Sequence, residues 1–399
     1  MKVCFINVSD RKKSENYKKR IVGPPQNIFS AAAVAIDTCG VEMVDENTEM
    51  KINFKTNADI IFIFISTEHA LRGYEISREF KSNKKKVVIC GQHASALPKE
   101  AKIYSDAVVV GEIEGVWNHL IADFNLGQLA GIYYYTMPFK LDLLNNYPLN
   151  IISKSNYNSF WSVLVSRENY DKDLLYDTTR IYENVSFRSI EKIIEEVKSC
   201  GAHWIELQSE NLIVDREYAI KLFKSLTPLK IKWLSNAPIN FVEDEELLSL
   251  ASKSGLKYLL VDLDVSLFSD YDFKKKVKRY VNIYHNYGVV IDVNIKFGDD
   301  EHLIEIFDEA LEFIEFTNLD IVHSELIVPL PGTKLYQKLE QENRIIYKNW
   351  SKFDGKHAVF KPLNMSSKQL EAEMISFEKK MNNVNAAYRY YQAMVQMTT

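Results

Sequence analysis

Short runs of β-branched and apolar residues alternate with amphipathic stretches along most of this chain, and that rhythm limits the fold more than any other feature. In the first 140 residues the apolar runs fall at 3–8, 41–44, 60–65, 87–89 and 107–110, with helical periodicity over 27–38 and 68–82. Runs of this length are too short to be buried helices, and strands separated by helices have to pair in parallel, because each return needs a crossover. The pattern therefore predicts an α/β fold whose N-terminal part is a doubly wound, Rossmann-like parallel sheet. A polar stretch rich in Asn and Tyr follows, and a second series begins at 161. It has strands at 162–165, 204–207, 232–234, 258–261, 289–295 and 321–328, and helices at 189–200, 216–227, 244–254, 273–286 and 302–316. Six strands with intervening helices predict an open (β/α)6 barrel. The expected domains are residues 1–140, a linker at 141–160, a partial barrel at 161–333 and a C-terminal helical extension at 334–399. The extension carries helical stretches at 334–343 and 367–382 and a Tyr- and Met-rich end at 386–399.

Composition removes several classes of function. Lys and Arg total 49 against 54 Asp and Glu in 399 residues, a net charge of −5, so no global electrostatic footprint for nucleic acid or anionic membrane exists. The longest apolar runs fall far short of the ~20 residues that span a bilayer, and the N-terminus reads as a strand rather than a secretory signal. A cytoplasmic protein is expected. The cysteines, Cys4, Cys39, Cys90 and Cys200, are spaced by 35, 51 and 110 residues, which fits no local metal or redox motif.

Doubly wound sheets bind ligands at the carboxyl ends of their strands. Here those ends carry Ser9, Ser66 with Thr67, Gly91 to His93, and Gly111 to Glu114. The run Gly91-Gln92-His93-Ala94-Ser95-Ala96-Leu97-Pro98-Lys99-Glu100-Ala101, followed by Tyr104-Ser105-Asp106 and Gly111-Glu112-Ile113-Glu114 with Trp117, resembles the cobalamin-binding domain of cobalamin-dependent radical S-adenosylmethionine (SAM) enzymes. Further segments are similar to the same family: Ser166-Arg167, Phe187-Arg188-Ser189, Lys296 to Asp300, Pro329-Leu330-Pro331-Gly332-Thr333, and Arg344 through Pro362. The resemblance implies cobalamin as a cofactor, with Ser66, Thr67, Gly91, His93, Ser95, Gly111, Glu112 and Glu114 around it. It leaves SAM binding open.

One motif of the family is missing. After Ser-Arg, relatives carry a C-x-x-x-C-x-x-C arrangement that holds an iron–sulfur cluster; here the three positions are Asn169, Asp173 and Tyr176, preceded by Glu168. Iron in such clusters needs thiolate sulfur, which amide, carboxylate and phenol together do not replace. No iron–sulfur cluster and no adenosyl-radical chemistry are therefore expected. Glu168, Asp171, Asp173 and Asp177 are carboxylates that suit a hard metal, but they read as a solvated loop, so no metal site is assigned.

The expected role is that of a cluster-less, cobalamin-binding accessory subunit working with an active radical SAM homologue or another enzyme of a specialised biosynthesis. One alternative is non-radical chemistry in the barrel, such as polar methyl transfer, with Glu210, Asp262, Asp264 and Lys296 as candidate catalytic residues. Glu206, Asp292 and Asn294 would line the same cavity, since charges inside strands are uncommon. Another is a corrinoid-state sensor.

Overall fold

The computed structural model describes residues 1–9, 23–48, 50–135, 137, 139–147, 157, 160–167 and 185–381. Asn169, Asp173 and Tyr176, the acidic loop around them and the 386–399 stretch lie outside the described residues. The chain forms two compact units, residues 1–206 with 330–337 and 349–351, and residues 207–329 with 338–348 and 352–399. No described helix is long and apolar enough to cross a membrane.

The first unit holds β1 (Lys2–Asn7), α1 (Gln26–Ala35), β2 (Gly40–Asp45), β3 (Ile60–Phe64), α2 (Ala70–Ser82), β4 (Lys86–Cys90), α3 (Gln92–Ala96), α4 (Pro98–Tyr104), β5 (Ala107–Gly111), α5 (Ile113–Asn125) and β6 (Ile132–Tyr135). Its sheet is parallel, in the order β2-β1-β3-β4-β5-β6. The order reverses between β1 and β3, the switch point at which a crevice opens in such sheets. Every residue of β3 is buried, as a central strand covered on both faces requires. Trp117 of α5 closes one face over Phe5 and Phe62, at ring distances of 5.9 and 5.4 Å. The doubly wound sheet expected from the alternating pattern is present. Two features were not foreseen: β6, an aromatic run at the sheet edge, and the short helices α3 and α4 within a run that reads as a loop.

A second sheet follows. The chain runs through β7 (Phe160–Leu164), a two-residue hairpin of β8 (Ser166–Arg167) and β9 (Ser186–Phe187), α6 (Ile190–Cys200), β10 (Trp204–Gln208), α7 (Arg216–Leu226), β11 (Lys232–Asn236), α8 (Glu245–Ser254), β12 (Leu256–Leu263), α9 (Tyr271–Asn286), β13 (Val290–Phe297), α10 (Ile306–Thr317) and β14 (Ile321–Leu326). The order β14-β13-β12-β11-β10-β7 places each long strand beside its neighbour in sequence, as an opened barrel demands. The helices start where capping chemistry puts them: Ser189, Asp215, Asp244 and Asp270 each accept a backbone N–H of the following turn.

Within the second unit the strands have two different faces. Leu259, Val261, Leu263, Ile291, Val293 and Ile295 are buried on one. The extension carries α11 (Lys334–Gln341) and α12 (Ser367–Met381), and among the contacts that join it to this unit Phe377 packs 5.0 Å from Phe297, Arg344 pairs with Asp300, and the Leu326 N–H donates to the Gly355 carbonyl at 2.7 Å.

Gly91 ends β4 at φ +103°, and a Cβ there would sit 2.5 Å from the carbonyl oxygen of Ile65 and 2.9 Å from its nitrogen. Backbone cannot yield as a side chain can. Gly91→Ala is expected to destabilise the protein by roughly 2–4 kcal/mol, strain and overlap together. Gly127→Ala, at φ +70° with nothing within 4 Å, costs only about 1–2 kcal/mol of left-handed strain. Urea unfolding of the two variants checks the difference.

Candidate functional site

The carboxyl ends of the first sheet form a rim. Ser66 stands half-buried, 2.9 Å from His69 Nδ1. Gly91 and Gly111 both have positive φ and leave two strand ends bare of side chains. Ser95 ties these ends together: its hydroxyl donates to the Gly91 carbonyl at 2.9 Å and accepts from the Gly111 N–H at 3.0 Å. His93 is fully buried, its ring nitrogens 3.3 Å from Thr67 Oγ1 and 3.3 Å from Glu100 Oε1. Glu100 also accepts from Tyr74 Oη at 3.0 Å and Trp350 Nε1 at 2.9 Å. Burial would raise the Glu100 pKa, but these three hydrogen bonds hold it below the ordinary carboxylate value.

The two rim carboxylates are also engaged. Arg167, just after β7, reaches Glu112 at 2.5 Å, Glu114 at 2.7 Å and Ser30 at 2.9 Å. Glu112 further accepts the Phe139 N–H at 2.7 Å. Burial raises the Glu112 pKa and the neighbouring Glu114 adds to it, while Arg167 opposes both. Sequence reasoning named both carboxylates as ligand contacts and placed Arg167 as a structural landmark; the structure joins all three in one clamp.

The second unit presents a different surface. Along the face opposite its apolar one, Asp262, Asn294 and His323 stand side by side on β12, β13 and β14 by register. Asp292, Lys296 and Glu325 share that face, one pleat away along the strands. Tyr258 and Val290 occupy its amino-terminal part and are buried, so the polar groups concentrate toward the strands' carboxyl ends. His323 Nε2 lies 3.1 Å from Asp292 Oδ1, with the carboxylate side chain 16% exposed and the imidazole 50%. Of the residues expected here, Asp262, Asp292, Asn294 and Lys296 lie on this face. Asp264 lies beyond the end of β12, where its carboxylate caps a 3-10 turn by accepting the Ser266 N–H at 3.0 Å. Glu210 is exposed in the loop after β10. In the first unit Glu206 is half-buried and accepts the Ser162 hydroxyl, and burial raises its pKa against that bond. His323 and Glu325 were missed, although alternation along the expected 321–328 strand would have put them on the face with Asn294 and Lys296.

No family model matches the chain. It is 23% identical over 93% of its length to the bacteriochlorophyllide d C-12(1)-methyltransferase of Chlorobaculum tepidum, covering 85% of that protein. It is 26% identical over 80% of its length to the C-8(2)-methyltransferase of the same organism, covering 77% of that protein. Among solved structures, the radical SAM methyltransferase TsrM of Kitasatospora setae, with cobalamin and a [4Fe-4S] cluster bound, superposes at a TM-score of 0.65 with 14% identity, covering 94% of this chain and 85% of that one. The chain is similar over most of its length to these methyltransferases and shares the fold of TsrM.

The four cysteines of the chain are all buried, and none falls between 161 and 199. Cys4 pairs across with Ile61, whereas Cys90 pairs with Phe64 on the same intervening strand. Two strand spacings and three residues put those thiols on the order of 14 Å apart. Burial pushes both thiols well above their ordinary pKa, the reverse of what a metal thiolate requires. Among the described residues no group of three His, Cys, Asp or Glu is placed to hold a metal ion. The rim of the first sheet, with bare glycines, a hydroxyl and an inward-facing histidine, fits a ligand held on backbone and shape rather than by a histidine–metal bond.

Two measurements test these assignments. Arg167→Ala leaves two partly buried carboxylates unpaired and is expected to cost about 3–5 kcal/mol; adding Glu112→Gln and Glu114→Gln recovers part of the loss, and a urea titration without that recovery refutes the clamp. His302 is buried in the loop after β13 and accepts the Gly298 and Asp299 N–H groups at 3.2 Å each, which requires an unprotonated Nδ1. Burial lowers its pKa, against Asp299 and Asp264. The unfolded chain thus binds the proton more readily, and the stabilisation, complete above about pH 6.5, is lost as pH falls through the depressed folded value. In His302→Asn, unfolding free energies at pH 7.5 and 5.0 should differ less than in the unmodified protein.

Proposed function

We propose that this protein transfers methyl groups by a two-electron route on the polar face of its second sheet, without a cluster of its own. The observation that carries the reading is the row Asp262, Asn294, His323 on three adjacent parallel strands, in a chain that lacks cysteine at all three cluster positions. The similar proteins named above are methyltransferases, which supports transfer of a methyl group as the reaction class.

A methyl sulfonium donor such as SAM carries an electrophilic carbon that needs no radical to move, only a nucleophile in line and a polar setting for the charge that disappears. Asp262 and Asp292 favour the positive sulfonium and the approach of a hydrogen-bond donor. Lys296 holds a carboxylate or an anionic acceptor. A corrinoid, when bound at the rim of the first sheet by Ser66, Gly91, Ser95 and Gly111, supplies a methyl carrier.

The test is incubation of the anaerobically purified protein with methyl-labelled SAM, with and without cobalamin. Bacteriochlorophyllide d and L-tryptophan serve as acceptors, because similar proteins are described with them. Label should reach an acceptor with no 5′-deoxyadenosine formed, and Asp262→Asn or Lys296→Ala should lower the rate about 10–100-fold. Stoichiometric iron and sulfide, or release of 5′-deoxyadenosine, would overturn the proposal. The vacated cluster positions favour a second reading, a partner subunit of an active homologue; it predicts no transfer by the isolated chain and stimulation of that homologue on mixing.

A further inference from the structure

The polar face holds one pair with the geometry of a proton acceptor. His323 Nε2 and Asp292 Oδ1 are 3.1 Å apart, the carboxylate largely covered and the imidazole half exposed. A covered carboxylate beside an exposed imidazole fixes the ring's orientation and tautomer and stabilises the imidazolium that forms when the ring takes a proton. Asn294, directly beside His323 by register, and Asp262 beyond it offer hydrogen-bond acceptors where a substrate's N–H or O–H would lie. Among the described residues of β12, β13 and β14, the other charged groups on this face are Lys296 of β13 and Glu325 of β14, paired with each other in register.

Resting on the two-electron reading above, we infer that His323 is the general base of methyl transfer, that Asp292 positions it, and that the acceptor is a nucleophile bearing an N–H or O–H. The step balances as follows. The acceptor's lone pair forms the new bond to the methyl carbon, the carbon–sulfur bond breaks with its electrons left on sulfur as a neutral thioether, and the acceptor's proton passes to His323 and then to water. A base set beside hydrogen-bond acceptors matches an acceptor whose N–H or O–H proton leaves as the bond to the methyl carbon forms.

The experiment uses the full chain, methyl-labelled SAM and three probes, p-cresol, indole and benzylamine, one for each type of proton-bearing nucleophile. The unmodified protein should methylate at least one probe, with a rate that falls on the acid side near the imidazole range. His323→Gln should lose about 100-fold or more and abolish that acid limb. His323→Gly should regain activity with added imidazole, and Asp292→Asn should lose about 10-fold. Calorimetric binding of SAM should be unchanged in the two His323 variants. In protein labelled with 15N-histidine, Asp292→Asn should lower the titration midpoint of the His323 resonance, because a nearby carboxylate favours the protonated ring. Transfer that survives His323→Gln with its pH profile intact overturns the assignment while leaving the two-electron reading standing. Absence of transfer to every probe by the unmodified protein overturns both.

Discussion

Parallel pairing at a fixed register is what the polar row of the second unit depends on. Side chains in a strand alternate with period two, so paired residues on neighbouring parallel strands point the same way, and a slip of one residue would turn each strand over. The slip is prevented from the other side. Leu259, Val261, Leu263, Ile291, Val293 and Ile295 are nearly fully buried, and each contributes roughly 1.5–3 kcal/mol that exposure would forfeit. The apolar face therefore fixes where Asp262, Asn294 and His323 stand, and the polar row costs the fold little because it is open to water.

The first unit handles charge in the opposite way. Arg188 and Glu196 are both essentially inaccessible and 2.5 Å apart, with Trp161 Nε1 donating to the same carboxylate at 3.3 Å. Arg167 does the same for Glu112 and Glu114. Such pairs add little net stability over an apolar packing but are costly to break, since the remaining partner is left charged in a poor solvent. The carboxylates at the rim thus belong to the architecture, and a ligand there meets glycine backbone and hydroxyls before it meets an anion.

How much of this was legible in the sequence follows from what each feature depends on. The two sheets and eleven of their twelve strands were readable because short β-branched runs between amphipathic helices admit few arrangements, and Ser189, Asp215, Asp244 and Asp270 cap helices through local bonds alone. That no cysteine falls between 161 and 199 is a plain fact of the sequence. The inward turn of His93 was not, because it depends on Glu100, Tyr74 and Trp350, the last 250 residues beyond Glu100 in the chain. Nor was the engagement of Glu112 and Glu114 by Arg167, which joins residues more than 50 positions apart. Local pattern reports which face a residue takes. It does not report which distant partner reaches it.

A sheet that had merely lost its chemistry would not need the residues found on its open face. Asp and Asn are poor strand formers, and mid-strand positions facing water are filled as well or better by Thr, Val or Tyr. Asp262, Asp292 and Asn294 lie within β12 and β13 rather than at their turns, and His323 is aligned with one of them by register and bonded to another. Folding supplies no reason for that grouping, because the apolar face already sets the register. A reaction that brings a sulfonium, a proton-bearing nucleophile and a base together does supply one: it needs anionic character for the first, a hydrogen-bond acceptor for the second and a titratable ring for the third. None of these functions requires iron, which is why the proposed two-electron transfer asks for no cluster at this face.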